Sequence, residues 1–209
     1  MIKPTLEEIK LVLKSKKYTY YNGPKPFDIN IIGIRTADRT HNKFNDFITF
    51  SGRDDRGHEF LKIFDGTTDP GLYWLKNPMQ VKGTAILVPG QYKKVYKIGT
   101  HGQGASAYTA FEQIAAMCYC RDNNKDSRLD IDELMLNKDN FIFDNIKSNL
   151  HRAGARVKST QVDKWSAACQ VVADPDEFDQ GIEIGIKGSV NYGNFFTYTL
   201  IEEKDFKNI

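Results

Sequence analysis

"NDFITFSGRDDRGHEFLKIF", residues 45–64, consists of two runs rich in Phe and Ile on either side of a polar stretch of Asp, Arg and Gly. Aromatic and β-branched residues suit a pleated, half-buried surface, and Asp and Gly suit the turn between them, so the stretch predicts a β-hairpin. The same texture extends outward. Upstream, "YNGPKPFDINIIGIRT" (21–36) passes from turn residues into an apolar run. Downstream, "TTDPGLYWLKNP" (67–78) and "GTAILVPGQYKKVYKIG" (83–99) carry Pro-Gly pairs that mark turns, and "YKKVYKI" alternates as a strand does. Near the end, the aromatic and β-branched "NFFTYTLIEEKDF" (194–206) predicts a strand that completes the main sheet.

Helices flank this β-rich middle. From Thr5 to about Lys17, Thr5 and Glu8 make a capping box, while Leu6, Ile9, Val12 and Leu13 form an apolar stripe. The lysines at 10, 14, 16 and 17 form its solvated face. "DPDEFDQGIEIGIKG" (174–188) reads as a helix start, with Asp174 near the cap and Pro175 in the first turn. "ACQVVA", around Cys169, reads as a short strand or a strand-to-helix turn. No long repeat or low-complexity linker divides the chain. The expectation is a β-rich α+β fold in a single domain: residues 1–26 form the N-terminal helix and lead-in, and 27–209 form the main domain with a mixed β-sheet core and a few short helices.

Composition narrows the function. Lys and Arg total 29 against 27 Asp and Glu, giving a net charge of +2 scattered along the 209 residues, which predicts no nucleic-acid partner. The longest apolar stretches, "TAILVP" and "INIIGI", fall far short of the roughly 20 residues a membrane span needs, so none is expected. "MIKPTLEEIKLVLKSKK" lacks the apolar core and small-residue cleavage site of a secretory signal, which predicts synthesis in a cytoplasm without one. Three cysteines are too few and too odd for a disulfide framework. At spacing two, Cys118 and Cys120 read as small apolar residues on the buried face of one strand.

The remaining cysteine stands in "HRAGARVKSTQVDKWSAACQVV", residues 151–172. A cysteine attacks as thiolate, so a catalytic one needs an electropositive, partly open setting, commonly beside an imidazole. His151, then fourteen residues, then Ser166-Ala167-Ala168-Cys169 resembles the signature of the L,D-transpeptidase (YkuD-like) catalytic domain, in which a histidine precedes a Ser-His-Gly-Cys element at similar spacing. Together with "DINIIGIRT", "TTDPGLYWLKNP", "GTAILVPGQY", "YCRDNNKD", "VDKWSAACQV" and "FTYTLIEEKDF", the region is similar to phage and prophage proteins of that superfamily described as endolysins. The resemblance runs from about Phe27 to Phe206.

The resemblance implies an L,D-transpeptidase-like core, with Cys169 as nucleophile and His151 as its general base. The Ser166–Cys169 turn would supply backbone N–H donors to the oxyanion, Ala168 among its positions, and no cofactor would be needed for catalysis. It also implies a peptidase acting on the stem peptides of bacterial peptidoglycan, reaching the wall after holin release or as part of a virion beside other phage proteins. Ala168 stands where the family has glycine and Ala167 where it has histidine. Arg152 follows His151 in place of a small residue, and "QVV" follows the cysteine without the usual Arg or Asn. These departures raise the alternative of a catalytically impaired virion structural or wall-binding protein. A backbone carbonyl in "HRAGA" or Asp163 would orient the imidazole. Arg152 and His101 are candidate substrate contacts, with an exposed loop position the other reading of His101. His41 and His58 read as surface groups.

"DNNKDSRLDIDE" sets Asp122, Asn124, Asp126, the Arg128 carbonyl, Asp130 and Glu133 at positions 1, 3, 5, 7, 9 and 12, the oxygen-ligand positions of an EF-hand loop. Ser127 holds the sixth position in place of glycine, and the preceding "MCYCR" reads as a strand, not an entering helix. The two readings are a structural Ca²⁺ clip and a solvated turn whose Asn and Asp side chains bond their own backbone. No H-E-x-x-H or H-x-H spacing supports zinc chemistry.

Overall fold

The 45–64 hairpin forms as expected: β2 (Asp46–Arg53) and β3 (Glu59–Thr67) pair antiparallel in unbroken register from Asp46 opposite Gly66 to Arg53 opposite Glu59. In the computed structural model, which describes residues 1–209 with side chains described for 1–207 and 209, this hairpin is two staves of a closed eight-stranded barrel. In chain order the elements begin with α1 (Leu6–Ser15), β1 (Asn30–Arg35), β2 and β3, followed by α2 (Leu72–Lys76) and β4 (Thr84–Leu87). Next come β5 (Gly90–His101), β6 (Tyr108–Gln113), β7 (Met117–Asp122), α3 (Ile131–Leu134) and β8 (Ile142–Asp144). The last elements are β9 (Leu150–Arg152), β10 (Gln170–Val172), α4 (Pro175–Tyr192) and β11 (Phe196–Glu202).

Around the barrel the order is β1-β11-β5-β6-β9-β10-β3-β2, and β2 returns to β1. Two pairings are parallel, β1 with β11 and β9 with β10, and the others are antiparallel. β4, β7 and β8 form a separate three-stranded sheet. The β-rich expectation holds. Among the described residues, no helix is long and apolar enough to cross a membrane.

Alternation divides the apolar residues between two cores. Ile31, Ile48, Phe50, Phe64, Phe111, Leu150, Val172 and Leu200 belong to the main core. Residues one position away, Ile32, Ile34, Phe47 and Ile201, join a second core with Ile9, Val12 and Leu13 of α1. β1 is therefore buried on both faces, which explains its run of "IIGI". The α1 capping box is present, with Thr5 Oγ1 accepting from Glu8 N at 3.3 Å and Thr5 N donating to Glu8 Oε2 at 2.7 Å. The helix ends at Ser15, short of Lys17, which takes φ +60°.

α4 starts where expected, with Asp174 capping Asp176 N at 2.9 Å and Pro175 in the first turn. It lays Phe178 and Ile182 into the main core. A Cβ at Gly185 would stand 2.8 Å from Phe111 Cζ, so the helix backbone lies directly on that ring. β7 buries Cys118 and Cys120 as expected, and Tyr119 between them as well.

Arg35, fully buried, joins the barrel to the smaller sheet. Its Nε lies 2.8 Å from Asp69 Oδ1, and its guanidinium donates to the Leu87 and Thr68 carbonyls at 3.0 and 3.1 Å. Beside it, Asp46 accepts from Thr36 N, Thr68 N and Thr68 Oγ1, each at 2.8 Å. Burial first, then the neighbouring Asp69, pushes the Asp46 carboxyl up to about 6.

Candidate active site

The parallel β9–β10 pair positions the candidate residues. His151 is the register partner of Val171, and Gln170 N donates to the Asn149 carbonyl at 3.0 Å, which sets Cys169 beside Asn149. Leu150 and Val172 point into the barrel, so Asn149, His151 and Cys169 lie on the outer face. With strands about 4.8 Å apart and about 3.3 Å of rise per residue, the His151 and Cys169 α-carbons are roughly 8 Å apart.

His151 is 2% exposed. Its Nδ1 lies 2.7 Å from the Arg152 carbonyl and 3.3 Å from Tyr108 Oη. The His101 ring stacks on it with centroids 4.1 Å apart at 16°. Asn149 Nδ2 donates to His101 Nδ1 at 3.1 Å, which fixes that nitrogen as an acceptor. Burial, then the adjacent His101, lowers His151 to about 3, and burial also lowers His101. With both rings lowered from the ordinary imidazole range, the pair is neutral at neutral pH.

Cys169 is half-buried and lines a cleft of ≈ 340 Å³ together with Trp74, Met79, Thr84, Arg121 and Lys147. Its sulfur contacts the Lys147 carbonyl at 3.9 Å. Among the described residues it bonds neither imidazole, and neither His151 nor His101 lines the cleft. Burial pushes the thiol up to about 11. In this resting arrangement sulfur and imidazole are both neutral.

The Ser166–Cys169 turn is held tightly. Ser166 Oγ donates to the Cys169 carbonyl at 2.8 Å, and Ser148 Oγ donates to the Ala168 carbonyl at 2.6 Å. Ala168 is absent from the positive-φ positions, and its side chain packs in the main core, so this turn has no need of the glycine that the resemblance leads one to expect. Among the described residues, no N–H from Ser166 to Cys169 donates to a protein acceptor. Backbone N–H groups left without a protein acceptor are the kind of donor that can receive an oxyanion.

Three sequence expectations change. Asp163 does not orient the imidazole: it is exposed, its Oδ1 accepts from Asn42 Nδ2 at 2.8 Å, and the Arg152 carbonyl takes the orienting role. Arg152 points away from the cysteine cleft, because it alternates with His151; its guanidinium lies 4.1 Å over the Tyr108 ring and donates to the Gly154 carbonyl at 2.6 Å. His101 is neither an exposed loop residue nor a cleft contact, since it forms the stack behind His151. His58 is exposed and His41 partly so.

Asn149 and Tyr108 were missed. "SNLHR" sets Asn149 two residues before His151 and therefore on the same strand face, a signal open to reading. Tyr108 gives no such signal, because it arrives through the β6–β9 pairing. Comparison with known protein families, with curated proteins and with solved structures finds no match to this chain.

Proposed function

We propose that the protein is a cysteine-dependent acyl-transfer enzyme, a peptidase acting on peptidoglycan stem peptides of the kind the L,D-transpeptidase resemblance implies. The reading rests above all on a thiol that lines a cleft, next to a strand that carries a histidine on the same barrel face. A carbonyl seated over Cys169 displaces the sulfur from the Lys147 carbonyl. Turnover then requires the thiol proton to reach the imidazole of His151, which shares no bond with the sulfur in the resting arrangement, as sulfur adds to carbon and N–H groups of the Ser166–Cys169 turn receive the oxyanion. Collapse expels the amine with that proton and leaves a thioester, which water cleaves to a carboxylate and the free thiol.

A second reading, a wall-binding or virion protein that has lost turnover, is favoured by the protonated thiol and the low basicity of His151. Purified sacculi incubated with wild type and with Cys169→Ala separate the two. New muropeptide ends made by wild type alone support the peptidase. Unchanged muropeptides with retained sacculus binding support the second reading and overturn the first.

A further inference from the structure

We propose that the loop from Asp122 to Glu133 is a Ca²⁺ site, with oxygen ligands from the side chains of Asp122, Asn124, Asp126, Asp130 and Glu133 and from the Arg128 carbonyl. Their spacing is the one by which a twelve-residue loop wraps hard oxygens around this ion. Independently of spacing, the structure leaves an oxygen in need of a cation. Asp122, at the end of β7, is 4% exposed, and its Oδ2 is buried with no hydrogen-bond partner among the described residues. The carboxylate faces the loop: its Oδ1 accepts from Asn124 N at 3.3 Å. A buried carboxylate oxygen without a donor is costly, and a bound dication would relieve that cost. Among the described residues, no ion pair reaches Asp122, Asp126, Asp130 or Glu133.

The backbone is already bent for this purpose. Ser127, at the sixth position, takes φ +76°, the left-handed turn for which such loops usually employ glycine. Leu129 and Ile131, on either side of Asp130, pack on Ile86 and Cys120, anchoring the loop to the smaller sheet. Among the described residues, no three His, Cys, Asp or Glu side chains stand close enough to hold an ion, so the ligands converge as it binds. The Asn124 amide, which now donates to Asp130 Oδ2, turns to present its oxygen. This inference concerns a loop outside the cysteine cleft and does not depend on the peptidase reading. Arg121, next to Asp122, donates to the Gly83 carbonyl at 3.0 Å and lines that cleft, so the ion would also fix one of its walls.

The test uses the full chain after EDTA treatment and dialysis. Calorimetric titration with CaCl2 is expected to give one ion per chain with a Kd of about 10⁻⁴–10⁻³ M, the range of sites with an incompletely organised loop. The thermal midpoint should rise by several degrees in about 10 mM CaCl2 and not in equal MgCl2, because Mg²⁺ demands a tighter octahedron. Glu133→Gln removes a ligand that is exposed and makes no side-chain bond among the described residues, so the variant should keep the metal-free midpoint while losing about tenfold or more in Ca²⁺ affinity. Asp130→Asn should likewise lower Ca²⁺ affinity, with its metal-free midpoint measured separately because Asp130 Oδ2 accepts from Asn124. Absence of heat and of a thermal shift in wild type overturns the site. So does an equal response to Mg²⁺, or a Ca²⁺ response unchanged in both variants.

Discussion

His151→Asn should remove most of an acid-labile component of stability. Asn can still donate to the Arg152 carbonyl, so the bond that orients the ring has a replacement. In the folded protein, burial and the stacked His101 lower His151 from its ordinary 6.5 to about 3. A histidine lowered on folding contributes stability that is whole above 6.5 and lost as pH falls from 6.5 toward 3, because the unfolded chain binds the proton first. Between pH 7 and about pH 4.5 that loss is roughly two pH units at 1.36 kcal/mol each, about 3 kcal/mol.

Asp46 works in the opposite direction. Its carboxyl, raised from 3.8 to about 6, contributes stability present at low pH and lost as pH rises through 6, which returns about 2 kcal/mol over the same acidification. Wild type should therefore change little between the two pH values, while His151→Asn gains stability on acidification. The difference between the two proteins isolates the histidine. Urea unfolding followed by the fluorescence of Trp74 and Trp165 at both pH values measures it. Parallel changes in both proteins, within about 0.5 kcal/mol, would show that His151 titrates normally and that the stacked, dry setting is wrong.

Three further expectations follow from named contacts. Native Cys169 should alkylate with iodoacetamide near neutral pH about 10²-fold more slowly than in urea, since burial raises its thiol from 9.0 to about 11; equal rates by peptide mass mapping would contradict a protonated, sheltered sulfur. Gly185→Ala should destabilise by about 1–3 kcal/mol in urea, because its Cβ would meet Phe111 Cζ at 2.8 Å; a gain in stability, as helix propensity alone predicts, would mean the ring yields freely. Arg35→Met should cost about 3–5 kcal/mol by leaving Asp69 and Asp46 buried without their cation, and adding Asp69→Asn should recover part of it; a cost below about 1 kcal/mol would remove Arg35 from its linking role.

Much of the fold was legible because it is written in local patterns. The 45–64 hairpin, the Thr5–Glu8 box and the Asp174-Pro175 start each declare themselves within a few residues, and each stands where expected. Barrel closure was not legible. It depends on β9 and β10, strands of three residues each, whose pairing no periodicity can signal. The site divides the same way. Cys169 beside a cleft was expected, but the partners of His151 come from β5 and β6, far away in sequence, so the His101 stack and the Tyr108 contact were invisible. Asp163 misled because charge beside a histidine suggests pairing, whereas a φ of +38° and two bonds to Asn42 turn it outward.

The place of β11 bears on how the chain reaches this state. Residues 196–202 slot between β1 and β5, joining a strand near the start of the sequence to one near its middle. Until they are synthesised, β1 and β5 each present a row of unpaired amide and carbonyl groups, the templates on which sticky intermediates grow. Folding should therefore be slow, with barrel closure awaiting β11. A chain cut before Phe196 should partition into aggregates and leave little soluble monomer.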